Sequence, residues 1–512
     1  MSDDDPSATK KGIKEFRVEL GGATAAEPRR PLAPRGEDAS RFRVAFVSEL
    51  APRGEYATKE RTVGRFAIDQ ATFDETMTSV APELALRLDA GAAGMVALRF
   101  ARLRDFRPEV LAKAIGEAPA PAGAMPPGAG RLLDDLLDVH EGKLAAAAGG
   151  GEVLVARVLG HEEVRRLEAA WRGLKLVVDR ADASAGASVE VWIASRDEVE
   201  EALAAMATAE EGPPDLIVVD HAVEATARDL DLALRWARAG EGLGVPVVAG
   251  GDASLVGLDD LGSLARSTRR LRSADGPRAA AVRSLAARDE ARWIALALNG
   301  LVARPRHTRE DARGGVALEE AADLIAGGAI GVAMVALEEA ARDGWACRLD
   351  GALGGLHVRM GDDRGQAVAM ACEALVRDDV AAEAAAAGLI VLTPAPNKDV
   401  ARLPYAPMLY RGRPDAGGAS PAASLRLGDQ LFVARIARMV RQVAAAIAPE
   451  TPVAAAREVA HLALAEAFIG EARAPEIRVE VESSPPRLVV HVRPRGFRGV
   501  RLDDVALEAP FG

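Results

Sequence analysis

The sequence predicts an α/β protein in two parts: a small α+β N-terminal domain, then a larger α/β domain with a mixed sheet and a C-terminal β-hairpin. Three observations carry that prediction. From about residue 189 onward, short apolar runs alternate with segments of helical periodicity, the rhythm of βαβ units. The stretch APAPAGAMPPGAG at 118–130 resists both helix and sheet and sets a boundary before that rhythm begins. Near the end, EIRVEVESS and PPRLVVHVRPRG alternate apolar and polar residues on either side of a Ser/Pro turn, as a hairpin does.

Taken in order, residues 1–14 read as a disordered tail and 15–117 as the small domain. Phe16, Val18 and Leu20 alternate with polar neighbours before Gly21–Gly22, a strand signature. RFRVAFVSEL is a second strand, with Val44, Phe46 and Val47 apolar. Asp69 is placed to cap a short helix whose Phe73, Met77 and Val80 face inward. Leu84, Leu86 and Leu88 alternate as a strand, Met95–Phe100 forms another, and RPEVLAKAIGE is a helix with Pro108 in its first turn.

The larger domain is expected over 131–512, beyond the 118–130 linker. It opens with a short helix RLLDDLLDVHEGKLAAAA, interrupted at Gly149–Gly151. Next comes EEVRRLEAAWRGLKLVVD (162–179), where Val164, Leu167, Trp171, Leu174 and Val178 share one face at spacings of three and four. Strands follow at VEVWIA, DLIVVDHAV and VPVVAGGD, separated by helices such as SRDEVEEALAAMAT and TARDLDLALRWARAGEGL, and ARWIALALNGLVARP follows another helical stretch. Helices are expected around 317–342 and 365–385, a Gly/Pro/Ser-rich loop at 411–424, and a long helix in SLRLGDQLFVARIARMVRQVAAAI. The hairpin places Ile477, Val479 and Val481 against Leu488, Val490 and Val492.

Composition narrows the function. A net charge of −12 argues against general nucleic-acid binding, which needs a basic face. Two cysteines, Cys347 and Cys372, without paired spacing, leave no disulfide framework or zinc motif. The N-terminus MSDDDPSATKKGIKEF lacks the apolar core of a signal peptide, and no run of eighteen apolar residues is free of charge. A cytoplasmic protein without membrane insertion is expected.

Catalytic signals are weak. Gly250–Gly251–Asp252 follows a buried strand, where doubly wound folds often bind ligands, but neither G-x-G-x-x-G nor a P-loop motif stands there. Asp220–His221 at a strand end is an acid/base candidate without a nucleophile motif beside it. The seven histidines are scattered singly. Neither catalytic, metal nor cofactor residues are assigned, and no cofactor is expected.

LEAAWRGL closely resembles the signature of the large sheath subunit of bacterial type VI secretion systems. The likeness extends in colinear order through DLIVVDHAVEATARDLDLALRWARAGEGLGVPVVAGGDASLVGLDDL, ARDEARWIALALNGLVARPRH and AAEAAAAGLIVLTPAPNKDVARL. It continues in SLRLGDQLFVARIARMVRQV, where Gly428 and Gln430 match the family pattern while Asp429 and Met439 depart from it, and in the terminal hairpin. Residues before 118 resemble the small sheath subunit instead, through FRVELGG, VAFVSEL, AIDQATFDETMTSVAPELALRL and ALRFARLRDFRPEVL. The chain thus looks like a fusion of trimmed small and large subunits.

That resemblance implies a structural protein, not an enzyme. Such a protein would polymerise into a helical sheath around an inner tube and contract to propel it. The implied partners are further copies of the chain, joined by strand exchange, the inner tube protein, the baseplate and a recycling AAA+ unfoldase. Only RLLDDLLDVHEGKLAAA remains to represent the helical region that contacts the unfoldase. The assembly candidates are Trp171, Leu167 and Leu174 in the helix, Phe16, Val18 and Leu20 in the first strand, Gly428 and Gln430, and Val479, Val481, Val490 and Val492 in the hairpin. Two other readings are a non-polymerising sheath paralogue and an α/β enzyme using Asp220–His221 near Gly250–Asp252.

Overall fold

The structure is a computed structural model. It describes residues 16–19, 41–52, 64–87, 95–117, 150–266, 276–311, 316–363, 365–412, 425–483 and 485–511. Leu20, Leu88, the tail 1–14, the linker 118–130, the expected helix 131–148 and most of the loop 411–424 lie outside them.

In chain order the strands begin with β1 (Phe16–Glu19), β2 (Phe42–Ser48), β3 (Gly64–Ile68), β4 (Glu83–Arg87) and β5 (Met95–Arg99). The central ones are β6 (Ala187–Ile193), β7 (Leu216–Val223), β8 (Val247–Gly251), β9 (Ile294–Leu298), β10 (Leu301–Arg304) and β11 (Leu324–Ala326). Short strands β12 (Ala352–Leu353), β13 (Arg359–Asp363), β14 (Gln366–Met370), β15 (Leu389–Val391), β16 (Thr393–Pro394) and β17 (Ala401–Arg402) follow. The last three are β18 (Glu476–Ser483), β19 (Pro486–Arg493) and β20 (Val505–Pro510).

Helices are α1 (Phe73–Val80), α2 (Pro108–Glu117), α3 (Gly150–Gly160), α4 (Glu162–Val178), α5 (Val199–Ala207) and α6 (Ala227–Leu243). They continue with α7 (Leu261–Arg266), α8 (Pro277–Ala286), α9 (Gly328–Asp343), α10 (Asp378–Ala387), α11 (Leu427–Ala446) and α12 (Val453–Glu466). Their ends follow local chemistry: Thr226 accepts a hydrogen bond from the Asp229 amide at the start of α6, and Gly244 closes that helix at φ 64°.

A seven-stranded sheet, ordered β15-β9-β8-β7-β2-β6-β3, forms the centre. Its pairings are parallel except at β3, the antiparallel rim. Period-two alternation divides each strand between two cores. Val44, Phe46, Leu216 and Val218 pack with α4, α9 and α11 on one face. Ala45, Val47, Ile217 and Val219 pack with α5, α6, α8 and α10 on the other. This is the expected α/β fold, with helices on both faces of a mixed sheet.

The strand from the N-terminal stretch does not stay in its own layer. β2 lies between β6 and β7, with Val44 opposite Val189 on one side and Leu216 on the other. Removing it would leave two strands with unpaired backbone in the middle of a sheet. β3 extends the same sheet, while α1, α2 and the β4–β5 hairpin pack on the α4 side through Phe73, Leu84, Phe106 and Leu111. The described residues of 16–117 and those from 150 onward therefore share one core.

Two expectations are corrected. The helix expected at 365–385 is confined to α10, because Gly365 turns the chain at φ 86° and residues 366–370 pair with β13. Buried Val368 and Met370 hold that hairpin down despite the helix-favouring alanines around them. The helix expected at 317–342 begins only at Gly328, since Leu324–Ala326 pairs with β10. There a Cβ on Gly328 would lie 2.6 Å from the Ala297 carbonyl oxygen, so only glycine lets the helix start so close to β9. The first strand and the terminal hairpin, which the resemblance casts as strands exchanged between copies, lie in one sheet with β20 of the same chain. Both β20 and α12 come from segments not assigned from the sequence.

Candidate assembly site

The terminal sheet runs β1-β20-β19-β18. β1 is parallel to β20, pairing Phe16 with Val505 and Val18 with Leu507. The remaining ladders are antiparallel. Val18, Val479, Val490 and Val492 are buried, together with Leu488, Val505 and Leu507, and Val481 is half-buried. α12 lies against β18, and α11 against β19 and β20. The alternate residues of β18, Arg478, Glu480 and Glu482, are exposed, and Arg487 pairs with Glu508 at 2.8 Å. The pattern is a half-buried sheet with one apolar and one charged face.

Four rings join this sheet to the body. Trp345, just after α9, stacks on Phe468 at 5.2 Å and meets Phe497 edge-on at 5.1 Å, with Phe432 of α11 at 5.8 Å. The Arg435 guanidinium lies over the Trp345 ring at 4.5 Å.

The α4 candidates seal the junction between the N-terminal stretch and the rest. Leu167, Trp171 and Leu174 are fully buried. Trp171 Nε1 donates to the carbonyl of Leu50, two residues after β2, at 2.9 Å. Its ring meets Phe73 of α1 edge-on at 5.9 Å. Trp171 thus touches two elements of the N-terminal stretch at once.

Gly428 and Gln430 open α11. A Cβ on Gly428 would stand 1.9 Å from the Cys347 carbonyl oxygen, so the helix enters against the chain leaving α9. Gln430 Nε2 donates to the Arg292 carbonyl at 2.6 Å. Asp429, which departs from the family pattern, accepts from the amides of Arg426 and Arg501 and so ties α11 to the segment preceding β20.

Sequence reasoning missed a row of arginines on α11 at spacing three, Arg435, Arg438 and Arg441. Arg435 donates to the Gly344 carbonyl at the end of α9, and Arg441 to the Leu243 carbonyl at the end of α6. Cations at helix C-termini are favourably placed. Burial lowers both guanidiniums, Arg441 to about 10. Arg438 pairs at 3.1 Å with Asp215, and both are buried. The other contacts of this pair go to the start of β2: Asp215 accepts from the Arg43 amide at 2.8 Å, and Arg438 donates to the Arg41 carbonyl at 2.7 Å. The run ARIARMVRQV carried the signal, since apolar neighbours all round a helix imply that its cations are buried too.

The catalytic candidates do not converge. Ser48 Oγ on β2 donates to Asp220 at 3.1 Å, while His221 Nε2 sits 3.3 Å from the Ala194 carbonyl. Burial raises Asp220 to about 7 and lowers His221 to about 4. Asp252 caps its own turn by accepting from the Ser254 amide. A cleft of about 490 Å³ lies elsewhere, between Arg107–Glu109 and Pro305–His307. Burial raises both cysteine thiols far above their usual range, and both residues are packed in the core. Among the described residues no group of three or more His, Cys, Asp or Glu is arranged to hold a metal, and no helix is long and apolar enough to cross a membrane.

These features define an α/β fold whose singled-out residues lie at buried junctions between elements. The family model described as "VipB: EvpB/VC_A0108, tail sheath N-terminal domain" matches residues 152–213 and 208–406, overlapping segments that span just under half of the chain. Over that span the chain is similar to the large sheath subunit of type VI secretion systems, a structural family. The match holds α4 and strands β6 to β17. The N-terminal stretch, α11, α12 and the terminal sheet lie outside it. No curated protein matches the chain.

Proposed function

We propose that this chain is a structural subunit of a type VI contractile sheath, with small-subunit-like residues 15–117 and large-subunit-like residues 131–512 joined in one polypeptide. It polymerises into a helical tube around an inner tube protein in the cytoplasm and contracts to propel that tube from a baseplate. A AAA+ unfoldase recycles the contracted form. The observation that carries this reading is β2. The strand completes, from the N-terminal stretch, the sheet of the very segment that matches the tail-sheath family. A fused small subunit would do this if its unfused counterpart interlocks with the large one.

Subunits join by strand exchange through the terminal sheet, β1 of one chain lying on β20 of the next. Such a contact is heterologous and generates an open helix rather than a closed ring. Negative-stain electron microscopy of the purified full chain tests the proposal: tubules are expected. Discrete particles across concentration and salt would instead support a non-polymerising paralogue.

A further inference from the structure

β1 is the lightest-held strand among those of the terminal sheet. Among the described residues its ladder with β20 covers four positions, against eight between β18 and β19. It lies at the rim, so only one ladder breaks when it leaves. β20 in turn needs an occupant. Its Val505 and Leu507 belong to the core, and a bare apolar strand edge invites pairing with another chain. In this structure the occupant is the chain's own β1.

We propose that this self-pairing is a brake on assembly: the free chain closes its terminal sheet on itself, and a neighbour's β1 must displace the resident one before a polymer can grow. The inference rests on the strand-exchange reading above and goes beyond it by assigning a state to the unassembled chain. Twenty-two residues separate Glu19 from Phe42, enough to reach a neighbour, since that many residues span roughly 75 Å when extended. Belonging to the same chain, β1 meets its own β20 at an effective concentration on the order of millimolar. At micromolar chain the self-paired form therefore wins by roughly 10²–10³-fold unless neighbouring bodies add contacts of their own. Growth then waits on a nucleus in which those contacts accumulate.

The test is a cysteine pair, Val18→Cys with Leu507→Cys, at positions directly opposite in the ladder and so within disulfide reach. Native Cys347 and Cys372 are buried and do not compete. In the unassembled full chain the disulfide is expected to form within one chain. Oxidised before assembly, the locked protein should give at least tenfold fewer tubules than the reduced protein, and reductant should restore them. Tubules grown reduced and then oxidised should cross-link between chains.

The brake is overturned if the locked chain assembles as readily as the reduced one. It is equally overturned if the free chain forms no internal disulfide while tubules cross-link between chains. Tubules that cross-link only within chains would instead sink strand exchange and leave the sheath reading standing. Single Val18→Cys and Leu507→Cys variants, which form tubules without locking, show that neither substitution alone blocks folding or assembly; a single variant that blocks assembly means the locked result reflects damage and counts against the brake.

Discussion

β1 and β2 arise from the same N-terminal stretch, yet one sits on the rim of a sheet and the other in the middle of one. β2 is paired on both sides, sealed by cores on both faces, and clamped at its start by the Asp215–Arg438 pair. Near its end, Ser48 holds Asp220 and the Leu50 carbonyl holds Trp171. β1 has one ladder and a single described side chain, Val18, in the core. A strand bonded on both sides leaves only when the whole domain unfolds, whereas a rim strand opens locally at a small fraction of that free energy. The interlocking and exchange proposed above would thus fall to different strands of one segment.

The comparison can be broken most directly at the β2 clamp. Arg438→Ala leaves the Asp215 carboxylate buried without its counter-charge, a loss of about 3–5 kcal/mol. Chemical denaturation should show it as a large fall in midpoint, and an unchanged midpoint would mean that β2 is not clamped there. Trp171→Ala removes a fully buried indole and its bond to Leu50, again about 3–5 kcal/mol. We expect loss of soluble, assembly-competent protein; a variant that assembled normally would argue against the placement of this helix.

The next effect depends on pH. Asp220 holds its proton to about 7 in the folded chain, above its ordinary value of 3.8. The folded state therefore binds the extra proton, and the stability it contributes is fully present below about pH 4 and lost as pH rises through 7. Each pH unit between those two values is worth about 1.4 kcal/mol. Asp220→Asn should flatten this part of the stability profile, as measured by thermal melts between about pH 5 and 8. A wild-type profile that is already flat there would refute it.

The smallest change in stability belongs to β1. Val18→Ala removes two methyl groups at a rim, about 1–2 kcal/mol locally, and local opening hides most of that from the global midpoint. Hydrogen exchange should accelerate over residues 16–19 and 505–508 while the core amides of β2 stay protected. Equal acceleration in β2 would dissolve the contrast between the two strands.

Much of this was legible in the sequence. Val44, Phe46 and Val47 marked β2, the helical spacing of Val164, Leu167, Trp171 and Leu174 marked α4, and alternation marked β18 and β19. The colinear sheath-like phrases singled out Gly428, and the 1.9 Å approach to Cys347 supplies a reason for glycine there. What misled was chemistry shared by two outcomes. The alanines of 366–387 suit a helix throughout, and only the turn at Gly365 and the packing of Val368 and Met370 separate strand from helix. The arginine row of α11 went unread, because its partners, the carbonyls of Gly344, Arg41 and Leu243, lie far away in the sequence.

By itself the sequence determined which segments are strands and helices over most of the chain, and which of their faces are apolar. Period and polarity are written residue by residue. Tertiary structure alone decided who pairs with whom: that Arg43 meets Asp215 across 172 positions, that β2 splits β6 from β7, and that β1 covers β20. Strand partners are chosen through backbone groups common to every residue, so their order becomes definite only when the whole core closes around them.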